Sequence, residues 1–113
     1  MLTFSSKIQY YLFSAPVDMR KSFDGLSALI QNNMELNSLS GDMYVFTNRR
    51  RDRIKCMVWD GDGFWIYYKR LEKGTFHISQ TQENEYKISS ADLLLMLEGI
   101  DLKKGKRSVR FRR

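Results

Sequence analysis

The chain has 113 residues, of which 42% are hydrophobic and 13% aromatic, with one proline; that composition bounds it to one folded domain with a modest core and excludes a disordered chain. No apolar run approaches the length of a membrane span and no basic and apolar leader opens the chain, so a cytoplasmic location is expected. A lone cysteine, Cys56, and a lone histidine, His77, exclude an internal disulfide and a four-ligand zinc site.

The formal net charge of +6 comes from 19 basic and 13 acidic residues, and seven of the basic ones with none of the acidic ones lie between Lys103 and Arg113. The first 102 positions therefore carry a net charge of −1. The division expected is a folded domain over 1–102 and a basic tail over 103–113, of the kind that neutralises phosphates.

In chain order, Ile8 to Phe13 is β-prone and predicts a first strand, ended by Ser14-Ala15-Pro16. Asp18 is suited to cap a helix running to about Met34, in which Phe23, Leu26, Ile30 and Met34 form one apolar stripe. Gly25 inside that helix suggests close packing against another backbone. A polar connection, Asn32 to Gly41, leads to three β-prone runs, Met43 to Thr47, Arg53 to Trp59 and Phe64 to Arg70. Turn-forming segments, Asn48 to Asp52 and Asp60 to Gly63, separate them, which is the pattern of an antiparallel meander with a tight Asp-Gly-Asp-Gly hairpin. Both faces of the central strands are apolar: one can take the first helix, the other needs the second helix, a partner or a nucleic acid. Thr75 to Ser79 suggests a short strand, and Tyr86 to Ile88 a brief pairing. Ser89 and Asp92 then form a variant capping box before the stripe Leu93, Met96, Leu97 and Ile100, with Gly99 closing the helix. The fold expected is α+β: a small single domain with a mostly antiparallel sheet of four or five strands and two helices.

Two features exceed what folding requires. Arg49, Arg50, Arg51 and Arg53 crowd one connection with only Asp52 to offset them, and Lys55 follows on the next strand. Either these groups meet an anion or they form a solvated tip that keeps the sheet from associating. The segment Asp18 to Leu26 is dense in alternating charge; helix capping accounts for Asp18 but less well for the cluster. Trp59, Phe64, Trp65, Tyr67 and Tyr68, flanked by Lys55, Lys69 and Arg70, would suit base stacking, though strand spacing places most of these rings in the core. Asp60 and Asp62, with Asp52 and Glu72, raise a metal-dependent nuclease, but turn geometry explains the Asp-Gly-Asp-Gly carboxylates and no base accompanies them. No catalytic residue, metal ligand or cofactor is assigned.

Several strings together carry a resemblance. Pro16-Val17-Asp18-Met19-Arg20-Lys21-Ser22-Phe23-Asp24-Gly25-Leu26, Leu39-Ser40-Gly41, Val45-Phe46-Thr47-Asn48-Arg49-Arg50, Trp59-Asp60-Gly61-Asp62-Gly63-Phe64 and Tyr68-Lys69-Arg70-Leu71-Glu72-Lys73-Gly74 occur in order. With Ile88-Ser89 and Leu97-Glu98-Gly99-Ile100-Asp101, they make the chain from about Tyr10 to Asp101 similar to a small accessory protein of bacterial insertion sequences of family sixty-six. That protein is the product of the second open reading frame, called TnpB there and unrelated to the RNA-guided nuclease of that name. Ser22 and Arg51 stand where the family pattern often has glycine, and the proline often found after Phe76 is missing. The resemblance implies a bacterial, cytoplasmic, non-enzymatic helper of transposition, while a separate transposase cuts and joins DNA.

The reading that follows is DNA binding, at element ends or alongside the transposase. One phosphate-contacting patch would be Arg49, Arg50, Arg51 and Arg53 with Lys55, and a second would be Lys103, Lys104, Lys106, Arg107, Arg110, Arg112 and Arg113. The alternative is a protein-interaction module that docks on the transposase or on a second copy.

Overall fold

A computed structural model describes residues 7–78, 87–98, 100–101 and 106–107. The elements are β1 (Tyr10–Phe13), α1 (Phe23–Asn32), β2 (Met43–Thr47), β3 (Arg53–Trp59), β4 (Phe64–Arg70), β5 (Lys87–Ile88), α2 (Ser90–Glu98), β6 (Ile100–Asp101) and β7 (Lys106–Arg107). Five strands form one sheet in the order β4-β3-β2-β1-β5, and β6 pairs with β7 separately. The meander is as its turn residues require, with β2–β3 and β3–β4 antiparallel. β1 pairs antiparallel with β5 but parallel with β2. The parallel pair follows from α1, since a crossover helix carries the chain back to the end of the sheet where β1 began. The result is the expected α+β fold.

Strand alternation divides the core in two. Leu12, Val45, Ile54 and Cys56 face one side, where Leu71, Phe76, Leu93 and Met96 cover them. Tyr44, Phe46 and Met57 face the other, under Leu26, Ile30 and Met34 of α1 and its exit. The second sheet face is thus closed by α2 and the segment after β4. β2 is buried throughout because it lies inside both clusters. Cys56 is buried, and desolvation pushes its thiol up to about 12, so it packs as an apolar side chain.

Three expectations need correction. α1 begins at Phe23, after Ser22, and Asp18 does not cap it. The Asp18 carboxylate instead accepts from the Arg20 amide at 2.9 Å and from the Arg20 guanidinium, while Lys21 N donates to Asp18 O at 3.0 Å. A local turn has taken the side chain that a helix would otherwise use. Residues 75–78 form no strand; Phe76 is buried and its amide donates to Arg51 O at 2.7 Å. A Cβ at Gly25 would meet the Lys21 side chain at 3.3 Å rather than another backbone. The Ser89 cap is as expected, its hydroxyl accepting from Asp92 N at 3.0 Å. Gly99 lies outside the described residues.

Candidate nucleic-acid interface

Asn48, at the exit of β2, builds the arginine loop from within. Its Oδ1 accepts from the amides of Asp52 at 3.1 Å and Arg53 at 3.0 Å, and its Nδ2 donates to the Asp52 carboxylate at 2.6 Å. Arg51 N donates to Asn48 O at 3.1 Å. From below, Leu71 N donates to Asp52 O and Phe76 N to Arg51 O, each at 2.7 Å. A tip held at so many points has its backbone ordered before any ligand arrives, which leaves only side-chain freedom to be lost on binding. Arg49 and Arg50 are exposed on it, and among the described residues their guanidinium groups make no hydrogen bond or ion pair.

Arg51 is half-buried with φ +59°, a left-handed conformation that favours glycine. That is the physical reason glycine suits this position. Arg51→Gly should raise stability by roughly 0.5–1 kcal/mol, the left-handed strain relieved less the entropy glycine adds to the unfolded chain. A urea midpoint that falls in the variant would contradict this.

The segment before α1 supplies the opposite wall. Val17 N donates to Thr47 O at 2.8 Å, which fixes the chain beside β2. An open cleft of about 430 Å³ then lies between Val17, Asp18, Met19 and Arg20 on one side and Asn48, Arg49, Arg50, Asp52 and Arg53 on the other. Four arginines face two aspartates there. Both aspartates are engaged: Asp18 with Arg20 at 2.7 Å, and Asp52 with Asn48. The Arg20 hydrogen bonds hold the Asp18 carboxyl at about 2, below the usual carboxylate range. Because that pKa is lowered on folding, the contact contributes above about pH 4 and is lost as pH falls toward 2. In an NMR titration the Asp18 carboxyl should have its midpoint near 2, and Arg20→Gln should return it to the ordinary range. An ordinary midpoint in the unsubstituted chain would break the pair.

The five candidates of the first basic patch separate. Arg49, Arg50 and Arg53 line the cleft, and Arg53 Nη1 also donates to the Tyr68 hydroxyl at 3.2 Å. Arg51 does not line it. Lys55 is a correction: it is 7% exposed, and its ammonium donates to Met19 O at 2.8 Å and Lys21 O at 2.7 Å. It ties the opposite wall to β3. Of the second patch, Lys106 and Arg107 lie in β7, while Lys103, Lys104, Arg110, Arg112 and Arg113 lie outside the described residues. Sequence reasoning passed over Arg20 as a cleft residue, although the unexplained charge density of 18–24 marked it.

Three of the four carboxylates of the nuclease alternative, Asp60, Glu72 and Asp52, are held by neutral or cationic partners. Asp60 accepts from the Trp65 indole, which holds its pKa down, Glu72 pairs with Arg70 at 2.9 Å, and Asp52 is bound by Asn48. No group of three or more His, Cys, Asp or Glu among the described residues is placed to hold a metal ion, and no described helix is long and apolar enough to cross a membrane.

Fold and site define a small α+β protein with a preorganised cationic cleft on one end of its sheet. The family model for IS66 Orf2-like proteins matches residues 8–107, and the chain belongs to that family of insertion-sequence accessory proteins. It is similar to uncharacterized protein y4jC of Sinorhizobium fredii (strain NBRC 101917 / NGR234), at 31% identity over 91% of this chain and 88% of the relative. It is also similar to uncharacterized protein y4hO of the same organism, at 32% identity over 89% of this chain and 88% of the relative. No solved structure matches the chain.

Proposed function

We propose that this chain is a non-catalytic transposition factor that binds DNA through the arginine cleft, beside a separate transposase. The observation that carries this is the fixed loop, which holds Arg49 and Arg50 exposed and unneutralised within the described residues. A solvated tip needs no such internal bracing; a phosphate contact gains from it, because the side chains' supporting backbone is ordered before binding. The basic residues from Lys103 to Arg113 add a second, sequence-independent attraction to the DNA backbone. Element ends are the DNA proposed, and bacterial cytoplasm the setting.

The test is fluorescence anisotropy of the intact chain, and of a version ending at Leu102, on an element-end duplex and a scrambled one. Binding that prefers the element end and survives truncation supports recognition by the folded domain. Binding that vanishes with the tail and ignores sequence reduces the protein to a basic tether.

One observation favours a second reading. β4 ends the sheet, and Trp65 on it is 54% exposed, a surface that suits docking on the transposase or on a second copy. Capture of the transposase in the absence of DNA, abolished by a charged residue at Trp65, would favour it.

A further inference from the structure

We infer that Tyr68 is a base-stacking position and that the interface takes an unpaired DNA strand in preference to a duplex. The inference rests on the reading of the cleft as a nucleic-acid site and adds which form of nucleic acid it accepts.

Strand register places Tyr68 opposite Lys55, and Arg70 opposite Arg53, so the ring lies on the α1 side of the sheet, next to the arginine loop. Its inner surface is occupied: Lys55 Nζ stands 4.8 Å from the ring centroid and is itself buried. Its hydroxyl accepts from Arg53 Nη1 at 3.2 Å. The ring is thus fixed on one face and at its tip, yet Tyr68 is 50% exposed. Since the buried ammonium covers one face, the exposed surface is the other. β4 is the last strand of the sheet, so no neighbouring strand shields that face.

A fixed aromatic plane beside guanidinium groups is what stacking of an unpaired base between cationic contacts requires. A duplex cannot use it, because its bases are stacked on one another and offer a protein their groove edges and phosphates, but no base face unless a base is first unstacked. The other exposed ring of β4, Trp65, lies on the opposite face, stacked on Tyr67 at 6.2 Å, with its indole nitrogen donating to the Asp60 carboxylate. It is remote from the arginines in facing and carries an anionic neighbour, so it serves as the internal control.

The experiment is anisotropy with the intact chain on a labelled oligothymidine and on a labelled duplex of equal length. Tyr68→Leu keeps apolar cover over Lys55 but removes the π face, and Tyr68→Phe keeps the face but not the hydroxyl; circular dichroism melts confirm that both remain folded. Expected are tighter binding of the single strand, a loss of about tenfold on it for Tyr68→Leu, little loss for Tyr68→Phe or Trp65→Leu, and unchanged duplex binding. The slope of log K on log salt should be the same for Tyr68→Leu as for the unsubstituted chain, since an uncharged contact releases no counterion. If Tyr68→Leu binds the single strand as well as the unsubstituted chain does, or weakens single strand and duplex equally, the stacking role is overturned while cleft binding stands. If neither nucleic acid binds, both readings fall.

Discussion

Replacing Arg49 and Arg50 together by alanine should lower DNA affinity about thirtyfold to a hundredfold at low salt, taking about 1 kcal/mol or slightly more for each charge-assisted phosphate contact. The slope of log K on log salt should become shallower by about 1.8, or about 0.9 for each contact removed from a duplex. Stability should stay within about 0.5 kcal/mol, because both side chains are exposed and neither supports the loop. The loop's shape belongs to Asn48, whose side chain binds two amides and one carboxylate. The combination of lost binding, reduced salt dependence and an unchanged melt separates ligand contact from scaffold. A variant that binds with the original slope would show that these arginines touch no phosphate.

Lys55→Met tests the scaffold itself and should have the larger effect on stability. Methionine keeps most of the buried stem but leaves the carbonyls of Met19 and Lys21 without the ammonium that binds them at 2.8 and 2.7 Å. A hydrogen bond to a charged group contributes about 1.5–3 kcal/mol, and the freed carbonyls can recover part of that from water because their segment lies at the surface. The net loss should be about 2 kcal/mol, or roughly 10 °C in melting midpoint for a domain of this size. Hydrogen exchange at Arg20 and Lys21 should quicken, since the tie between β3 and this wall of the cleft is gone. An unchanged melt with unchanged exchange would mean that the wall is held by other contacts, such as Val17 N to Thr47 O.

The parts of the fold that were legible in the sequence are those in which local chemistry and burial agree. β2, β3 and β4 begin and end where the residue pattern places them, because turn formers flank each run and Gly61, at φ +106°, takes the conformation the Asp60–Gly63 turn needs. The Ser89 cap was legible for the same reason: its partner amide lies three residues away. Asp18 misled because two local uses compete for one carboxylate, and Arg20, two residues on, took it from the helix.

Lys55 was misread because its partners are distant. Met19 and Lys21 lie 36 and 34 residues away in sequence, so nothing near Lys55 marks it as internal except its place between Ile54 and Cys56 on a central strand. The arginine loop was legible as a charge cluster, but its rigidity was not. Phe76, which with Leu71 braces it from below, was read as part of a short strand rather than as a loop support. The cleft as a whole needed the parallel β1–β2 pairing, which brings the segment after β1 back alongside Thr47.

The most direct test of DNA contact at the arginine cleft is a ¹H–¹⁵N correlation spectrum of the intact chain, recorded while an element-end DNA is added. Contact at the cleft predicts amide shifts concentrated at Asn48 to Arg53 and Asp18 to Arg20, with the α2 side of the sheet unchanged. Shifts confined to residues 103–113, or centred on β4 at Trp65, would contradict it.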